Sequence, residues 1–111
     1  MEDERRRTPR YPFIATTEVI LKPGQPGIQA RVTELSLHGC FVELAEPLEK
    51  GLQAMFKIYA EGKYFESEGI VVYTQPHLGF GVRFQNINVH YAPVLKRWLI
   101  QAAQAKFGKP L

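Results

Sequence analysis

Apolar and polar residues alternate with a period of two along most of this chain, from Tyr11 to Phe84. That period is typical of β-strands, whose successive side chains point to opposite faces of a sheet. Breaks rich in glycine and proline, such as "KPGQPG" at residues 22–27, interrupt the alternation. They recur about every eight to twelve residues, so the pattern predicts six or seven short strands in a small antiparallel barrel or sandwich. A closed barrel would also leave no unpaired strand edge.

After Asn86 the period changes to that of an α-helix. The residues with helical spacing form one apolar stripe, namely Tyr91, Val94, Leu95, Trp98, Leu99 and Ala102. Pro93 suits the first turn of a helix, and Gly108 is a typical C-terminal stop. The pattern predicts a C-terminal helix over about residues 90–107, with its apolar stripe packed against the barrel.

A chain of 111 residues with 45% hydrophobic residues is the size of one domain with one core. We expect residues 1–10 to form a flexible arm and residues 11–111 a single domain. No apolar run approaches the roughly 20 residues that span a bilayer, and no signal peptide is recognisable. The single cysteine, Cys40, excludes an internal disulfide and fits a reducing compartment. These features predict a cytoplasmic protein without membrane insertion.

The residues most often used in catalysis form no recognisable catalytic pattern. The histidines His38, His77 and His90 lie in separate turns, without the spacing of zinc ligands. Cys40 alternates with apolar neighbours, which favours a buried structural thiol. No phosphate-binding glycine loop or order of nucleophile, base and acid occurs. We therefore expect a binding protein rather than an enzyme, with no metal and no cofactor.

The net charge is only +3, but the basic residues are concentrated near the N-terminus, as Arg5, Arg6, Arg7 and Arg10. An extended segment spans roughly 3.3 Å per residue, so Arg6 and Arg10 could reach opposite sides of a nucleotide-sized ligand. The planar guanidinium binds phosphate oxygens or the guanine edge through two hydrogen bonds. A basic cluster alone is more typical of a solvated tail, whereas a nonspecific DNA-binding protein usually carries a stripe of cations across its fold.

A second candidate element is "TELSLHG", residues 33–39, between two predicted strands. Ser36 offers a hydroxyl, Glu34 a carboxylate, and Gly39 a position for close backbone approach to a ligand or for a positive φ. By itself this segment is also typical of an ordinary serine-containing turn closed by a glycine.

Taken in order, an Arg-x-x-x-Arg segment, an acidic-x-Ser-x-x-Gly turn and "LGFGVRF" before a terminal helix resemble the PilZ domain family. The matching residues are Arg6 and Arg10, then Glu34, Ser36 and Gly39, then residues 78–84. The resemblance extends from Arg5 to about Lys106. It implies a mainly β fold, a six-stranded antiparallel β-barrel with a C-terminal α-helix. It also implies binding of the bacterial second messenger cyclic di-GMP.

The resemblance also implies a role for each matching residue. Arg6 and Arg10 would be the principal contacts with cyclic di-GMP, and Ser36 a hydrogen-bonding partner. Gly39 would allow close backbone approach, while Arg5 and Arg7 would be auxiliary contacts. Members with an extra arginine at the place of Arg5 bind a stacked pair of ligands, so one or two bound molecules remain open.

Glu34 departs from the family pattern, which usually has Asp or Asn at this position. Its carboxylate can accept hydrogen bonds from guanine N–H groups, but the added methylene lengthens its reach and adds a rotamer to immobilise. That immobilisation costs roughly 0.5–1.5 kcal/mol. We expect either weaker affinity for the ligand or a Glu34 side chain turned outward.

The receptor function would include a relay to an unidentified protein partner, and two alternatives remain. One is a module of the same fold that only binds proteins; the other is a small barrel that binds single-stranded nucleic acid. The few outward cations on the strands disfavour nucleic acid. Tyr11 and Phe41 flank the proposed site and are equally compatible with base stacking and core packing. The oligomeric state is open, with a homodimer among the options.

Overall fold

The computed structural model describes residues 8–107 of the chain, with side chains for residues 8–105. Six strands are followed by one helix in this part of the chain. Their bounds are β1 Tyr11–Ile20, β2 Ile28–Leu35, β3 Gly39–Glu43, β4 Gln53–Ala60, β5 Lys63–Gln75, β6 Gly79–Gln85 and α1 Ala92–Phe107.

The six strands form a closed antiparallel barrel in the order β1-β2-β3-β6-β5-β4, with β4 paired to β1. Closure pairs every strand on both sides, so the barrel has no free sheet edge. The predicted six-stranded barrel with a C-terminal helix is therefore confirmed, and the sandwich alternative is wrong. The β4–β5 hairpin turns at Glu61 and Gly62, with φ of 51° and 75°. Two consecutive positive φ angles are typical of a tight type I′ hairpin.

Alternate residues of each strand fill the barrel interior, as the period of two predicts. On β1 the inward residues Phe13, Ala15, Thr17 and Val19 are all buried. The buried Thr17 hydroxyl donates a hydrogen bond to the Lys57 carbonyl oxygen at 2.9 Å, which satisfies its polar group. Large side chains that are almost fully inaccessible complete the core, among them Leu35, Phe56, Ile58, Phe65 and Phe80. Burying each of these contributes about 1.5–3 kcal/mol relative to exposure.

Helix α1 packs its apolar stripe against β1 and β5. Trp98 is fully buried, with its ring centroid 5.3 Å from that of Phe13 and 6.2 Å from that of Phe65. The helix begins at Ala92, two residues later than expected. The delay has a local cause, because the Asn88 side chain accepts a hydrogen bond from the His90 N–H at 2.7 Å and holds the preceding residues in a turn. The predicted stop at Gly108 lies outside the described residues.

Candidate functional site

The predicted site residues that the structure describes meet in one open groove on the outer wall of the barrel. The groove has a volume of about 450 Å³, including the part open to solvent. The described residues of the two motifs that line it are Arg10, Glu34, Ser36 and Gly39. Arg5, Arg6 and Arg7, with the rest of the expected arm up to residue 7, lie outside the described residues. Thr8 also lines the groove, so the chain approaches this surface just before β1.

Ser36 organises the turn between β2 and β3. Its Oγ accepts hydrogen bonds from the backbone N–H of His38 at 3.2 Å and of Gly39 at 3.1 Å. The Ser36 hydroxyl also lies 3.3 Å from the Gly39 carbonyl oxygen, to which it donates. A hydroxyl has one donor and two acceptor positions, and all three are used here. A direct hydrogen bond from Ser36 to a ligand would therefore replace one of the bonds that shape the turn.

Gly39 is held by close contact with the neighbouring strand. A Cβ at this position would lie 1.9 Å from the Val82 carbonyl oxygen and 3.2 Å from the Arg83 Cα, both backbone atoms of β6. The described glycines with positive φ are Gly24, Gly51 and Gly62, so the suggestion of a positive φ at Gly39 is wrong. The absence of a side chain lets β3 and β6 pair while the groove stays open above them.

Arg10, the residue just before β1, and Glu34, on the adjacent strand β2, both line the groove and lie close to each other. The Arg10 Nη1 lies 3.9 Å from the Glu34 Oε1, and the two side chains are 43% and 49% exposed. An ion pair this long and this exposed stabilises a protein by only about 0–1 kcal/mol. Both groups are consequently available to a ligand at little cost. Glu34 lines the groove, and its effect on ligand affinity stays a prediction.

Cys40 lies at the base of the groove and is buried. Burial raises the pKa of its thiol from 9.0 to about 12, because the surroundings disfavour the thiolate. The thiol stays protonated near neutral pH and is a poor nucleophile. This confirms that Cys40 is a structural residue of the barrel interior.

An aromatic pair that sequence reasoning did not assemble forms one side of the groove. Phe41 and Tyr73 stack with ring centroids 6.2 Å apart and an angle of 27° between the rings. Both residues are paired with Gly81, which presents no side chain on that face. Phe41 lies in the groove wall and is buried there, whereas Tyr11 packs against the core, and base stacking by either ring stays untested.

A register shift between β5 and β6 explains why Tyr73 was missed. The pairing changes between Val71 and Tyr73, so that Tyr73 lies opposite Gly81. The neighbours Phe80 and Val82 are buried in the core, and Gly81 therefore faces outward. A bulge of this kind moves a side chain to the other face of a sheet. Uninterrupted alternation from Val71 would have placed Tyr73 inside, and Gly81 was the only hint in the sequence.

Within residues 8–107, no group of three or more His, Cys, Asp or Glu side chains is placed to hold a metal ion. In the same range, the helix is neither long nor apolar enough to cross a membrane.

The fold and the groove define a class of protein, a closed six-stranded barrel with a C-terminal helix and a binding surface on its outer wall. The family profile described as "PilZ domain" matches residues 4–101. The chain belongs to the PilZ domain family. No match was found among curated proteins.

Two solved structures share this fold. The PilZ domain of YcgR from Escherichia coli, solved with c-di-GMP, superposes with a TM-score of 0.71 at 18% sequence identity. That match covers 96% of this chain and 100% of the YcgR domain. The Bacillus subtilis inhibitor of motility, MotI/DgrA, superposes with a TM-score of 0.73 at 16% identity. That match covers 96% of this chain and 55% of the MotI chain. At these identities the likeness concerns the fold.

Proposed function

We propose that this PilZ domain is a cytoplasmic receptor for cyclic di-GMP, the bacterial second messenger. The observation that carries the proposal is the meeting of Arg10, Glu34, Ser36 and Gly39 in one groove, although they come from different elements. Membership of the PilZ family and the c-di-GMP named with the similar YcgR domain support the choice of ligand. The receptor binds its ligand without chemical conversion and needs no metal or cofactor.

The ligand has two phosphates and two guanines, which the groove can recognise in different ways. Among the described residues, the Arg10 guanidinium forms an ion pair only with Glu34, at long distance, so it can turn to a phosphate or to the guanine O6/N7 edge. Glu34 is then free to accept hydrogen bonds from guanine N–H groups. Ser36 and Gly39 bring the edge of the turn close to the ligand. Arg6, with Arg5 and Arg7 as auxiliaries, would add cations from the opposite side.

Ligand binding would be relayed to an unidentified protein partner. When the N-terminal arginine segment closes over the groove, it covers one surface and presents another, which is a common way for a non-catalytic module to signal. One chain forms the whole groove of described residues, so the mechanism requires no homodimer. The regulatory name of MotI, an inhibitor of motility, is compatible with this kind of role.

Calorimetric titration with cyclic di-GMP tests the proposal most directly. We expect binding at micromolar concentration or tighter in the natural protein, and a loss of at least about a hundredfold in Arg6→Ala/Arg10→Ala, because two charge-assisted contacts disappear. The matched control is Lys96→Ala/Arg97→Ala, which removes two exposed charges from α1 and should bind normally.

Absence of any binding heat in the natural protein would contradict the receptor function. It would favour the module that only binds proteins, in which the Arg10–Glu34 pair would persist as a surface feature. Titration with random single-stranded oligonucleotides tests the remaining alternative. Binding that weakens steeply with salt would favour the nucleic-acid-binding barrel.

A further inference from the structure

Arg83 lines the same groove and belongs to the segment of residues 78–84, for which no contact with the ligand was predicted from the sequence. It lies on β6, where its neighbours Val82 and Phe84 are buried in the core, so the Arg83 side chain is exposed on the outer face. Its partner on β3 is Gly39, and its partner on β5 is Ile70. Because Gly39 has no side chain, nothing from that position stands between Arg83 and the Ser36 turn.

Arg83 determines the net charge of the described groove wall. Arg10 and Glu34 form an ion pair and cancel each other's formal charge. The other charged pair among the described residues joins Arg31 and Glu43, away from the groove. Within residues 8–107, Arg83 has neither an ion-pair partner nor a hydrogen bond from its side chain. Among the arginine and carboxylate side chains of the described groove wall, Arg83 alone leaves an unbalanced charge of +1.

The surroundings of Arg83 also indicate which part of a ligand it would meet. Two residues along β6, Gly81 is covered by the ring of Tyr73, which stacks on Phe41, and the two rings form an apolar side of the groove. On the β3 side lies the polar Ser36 turn, whose backbone is tied to β6 by the hydrogen bond from the Phe84 N–H to the His38 carbonyl oxygen, 2.8 Å long. Arg83 thus lies at the boundary between an aromatic and a polar region, where the phosphate of a bound nucleotide could meet it.

We propose that Arg83 binds a phosphate of the ligand, as a third principal arginine of the site that is supplied by the barrel wall. The inference rests on the proposed function and deepens it. A strand in a closed barrel holds the Arg83 backbone in place, so only the side chain must be ordered on binding. Arginine suits this position because its planar fork can form two parallel hydrogen bonds to phosphate oxygens.

Calorimetric titration of cyclic di-GMP into Arg83→Gln tests the inference. We expect affinity to fall about ten- to hundredfold, as for the loss of one charge-assisted contact. Arg83→Lys keeps the positive charge but loses the planar fork, so it should recover part of the affinity and bind more tightly than Arg83→Gln. Arg97→Gln, the same substitution at an exposed position on α1, should bind like the natural protein. Thermal unfolding of all variants will show that they fold equally well.

The possible outcomes distinguish a failure of the role proposed for Arg83 from a failure of the receptor function. If the natural protein binds and Arg83→Gln binds equally well, the role of Arg83 is wrong and the receptor function stands. If Arg83→Lys is as weak as Arg83→Gln, a phosphate contact through charge is wrong. If the natural protein does not bind cyclic di-GMP at all, the receptor function and the role of Arg83 both fail.

Discussion

At the scale of single residues, Gly39 shows how strand packing alone can require a glycine at a motif position. The β6 backbone passes so close that any Cβ at this position would overlap the Val82 carbonyl oxygen. The missing side chain also opens the space between the Ser36 turn and Arg83. A glycine here is therefore required by the barrel itself, even before a ligand is considered.

Gly39→Ala should lower the free energy of unfolding by about 1–3 kcal/mol, the usual cost of overpacking a site that cannot move easily. The control is Gly27→Ala, because the three atoms nearest to a Cβ there all belong to the flexible side chain of Glu18. That side chain can rotate away, so we expect a smaller loss. Denaturation in urea measures both variants, and equal stabilities would contradict the role assigned to the β6 backbone.

At the scale of elements, the bulge in β5 decides the composition of the groove wall. It moves Tyr73 to the outer face, where the ring stacks on Phe41 above Gly81. The three atoms nearest to a Cβ on Gly81 all belong to the Tyr73 ring, at 2.3–2.9 Å. The bulge turns the Tyr73 ring outward, and the ring then occupies the space that a side chain at Gly81 would need.

A double-mutant cycle tests this coupling. Gly81→Ala alone should destabilise the protein by about 1–3 kcal/mol, because its Cβ would overlap the Tyr73 ring. In a Tyr73→Ala background the overlap disappears, and the same change should cost much less. The expected interaction energy from urea denaturation is about 0.5–3 kcal/mol. Additive effects of the two substitutions would contradict the packing of Tyr73 over Gly81.

At the scale of the whole molecule, the closed barrel provides a fixed surface and the N-terminal segment a second set of cations. All strands are paired on both sides, and α1 packs against β1 and β5 with Trp98 buried. Binding should therefore change the barrel little. The main expected change is closure of the arginine segment over the groove.

Limited proteolysis with trypsin can detect this closure, because trypsin cleaves after arginine. We expect saturating cyclic di-GMP to slow cleavage after Arg5, Arg6 and Arg7 severalfold, because the bound ligand would hold these residues. Mass spectrometry of the products measures the rates at each site. GMP at the same phosphate concentration is the control and should protect little. Unchanged cleavage despite calorimetric binding would show that the segment does not close.

Much of the fold could be predicted because the strands, the helix and their buried faces follow from patterns among neighbouring residues. The alternation on β1 predicted which residues are buried, and the apolar stripe around Trp98 predicted how α1 packs. For the candidate site, two short motifs singled out Arg10, Glu34, Ser36 and Gly39, which the structure brings into one groove, and their contacts with a ligand stay predictions. Arg6 stays a prediction, together with its neighbours Arg5 and Arg7.

The amino-acid sequence by itself determined the strands, the terminal helix and the inward residues, because each depends on periodicity over a few neighbours. The tertiary structure alone decided that Tyr73 faces outward and that Arg83 lies beside the Ser36 turn. Both facts depend on the register between strands that are distant in the chain. A shift of one residue in that register exchanges the faces of a strand, and the alternation within the strand gives no sign of it.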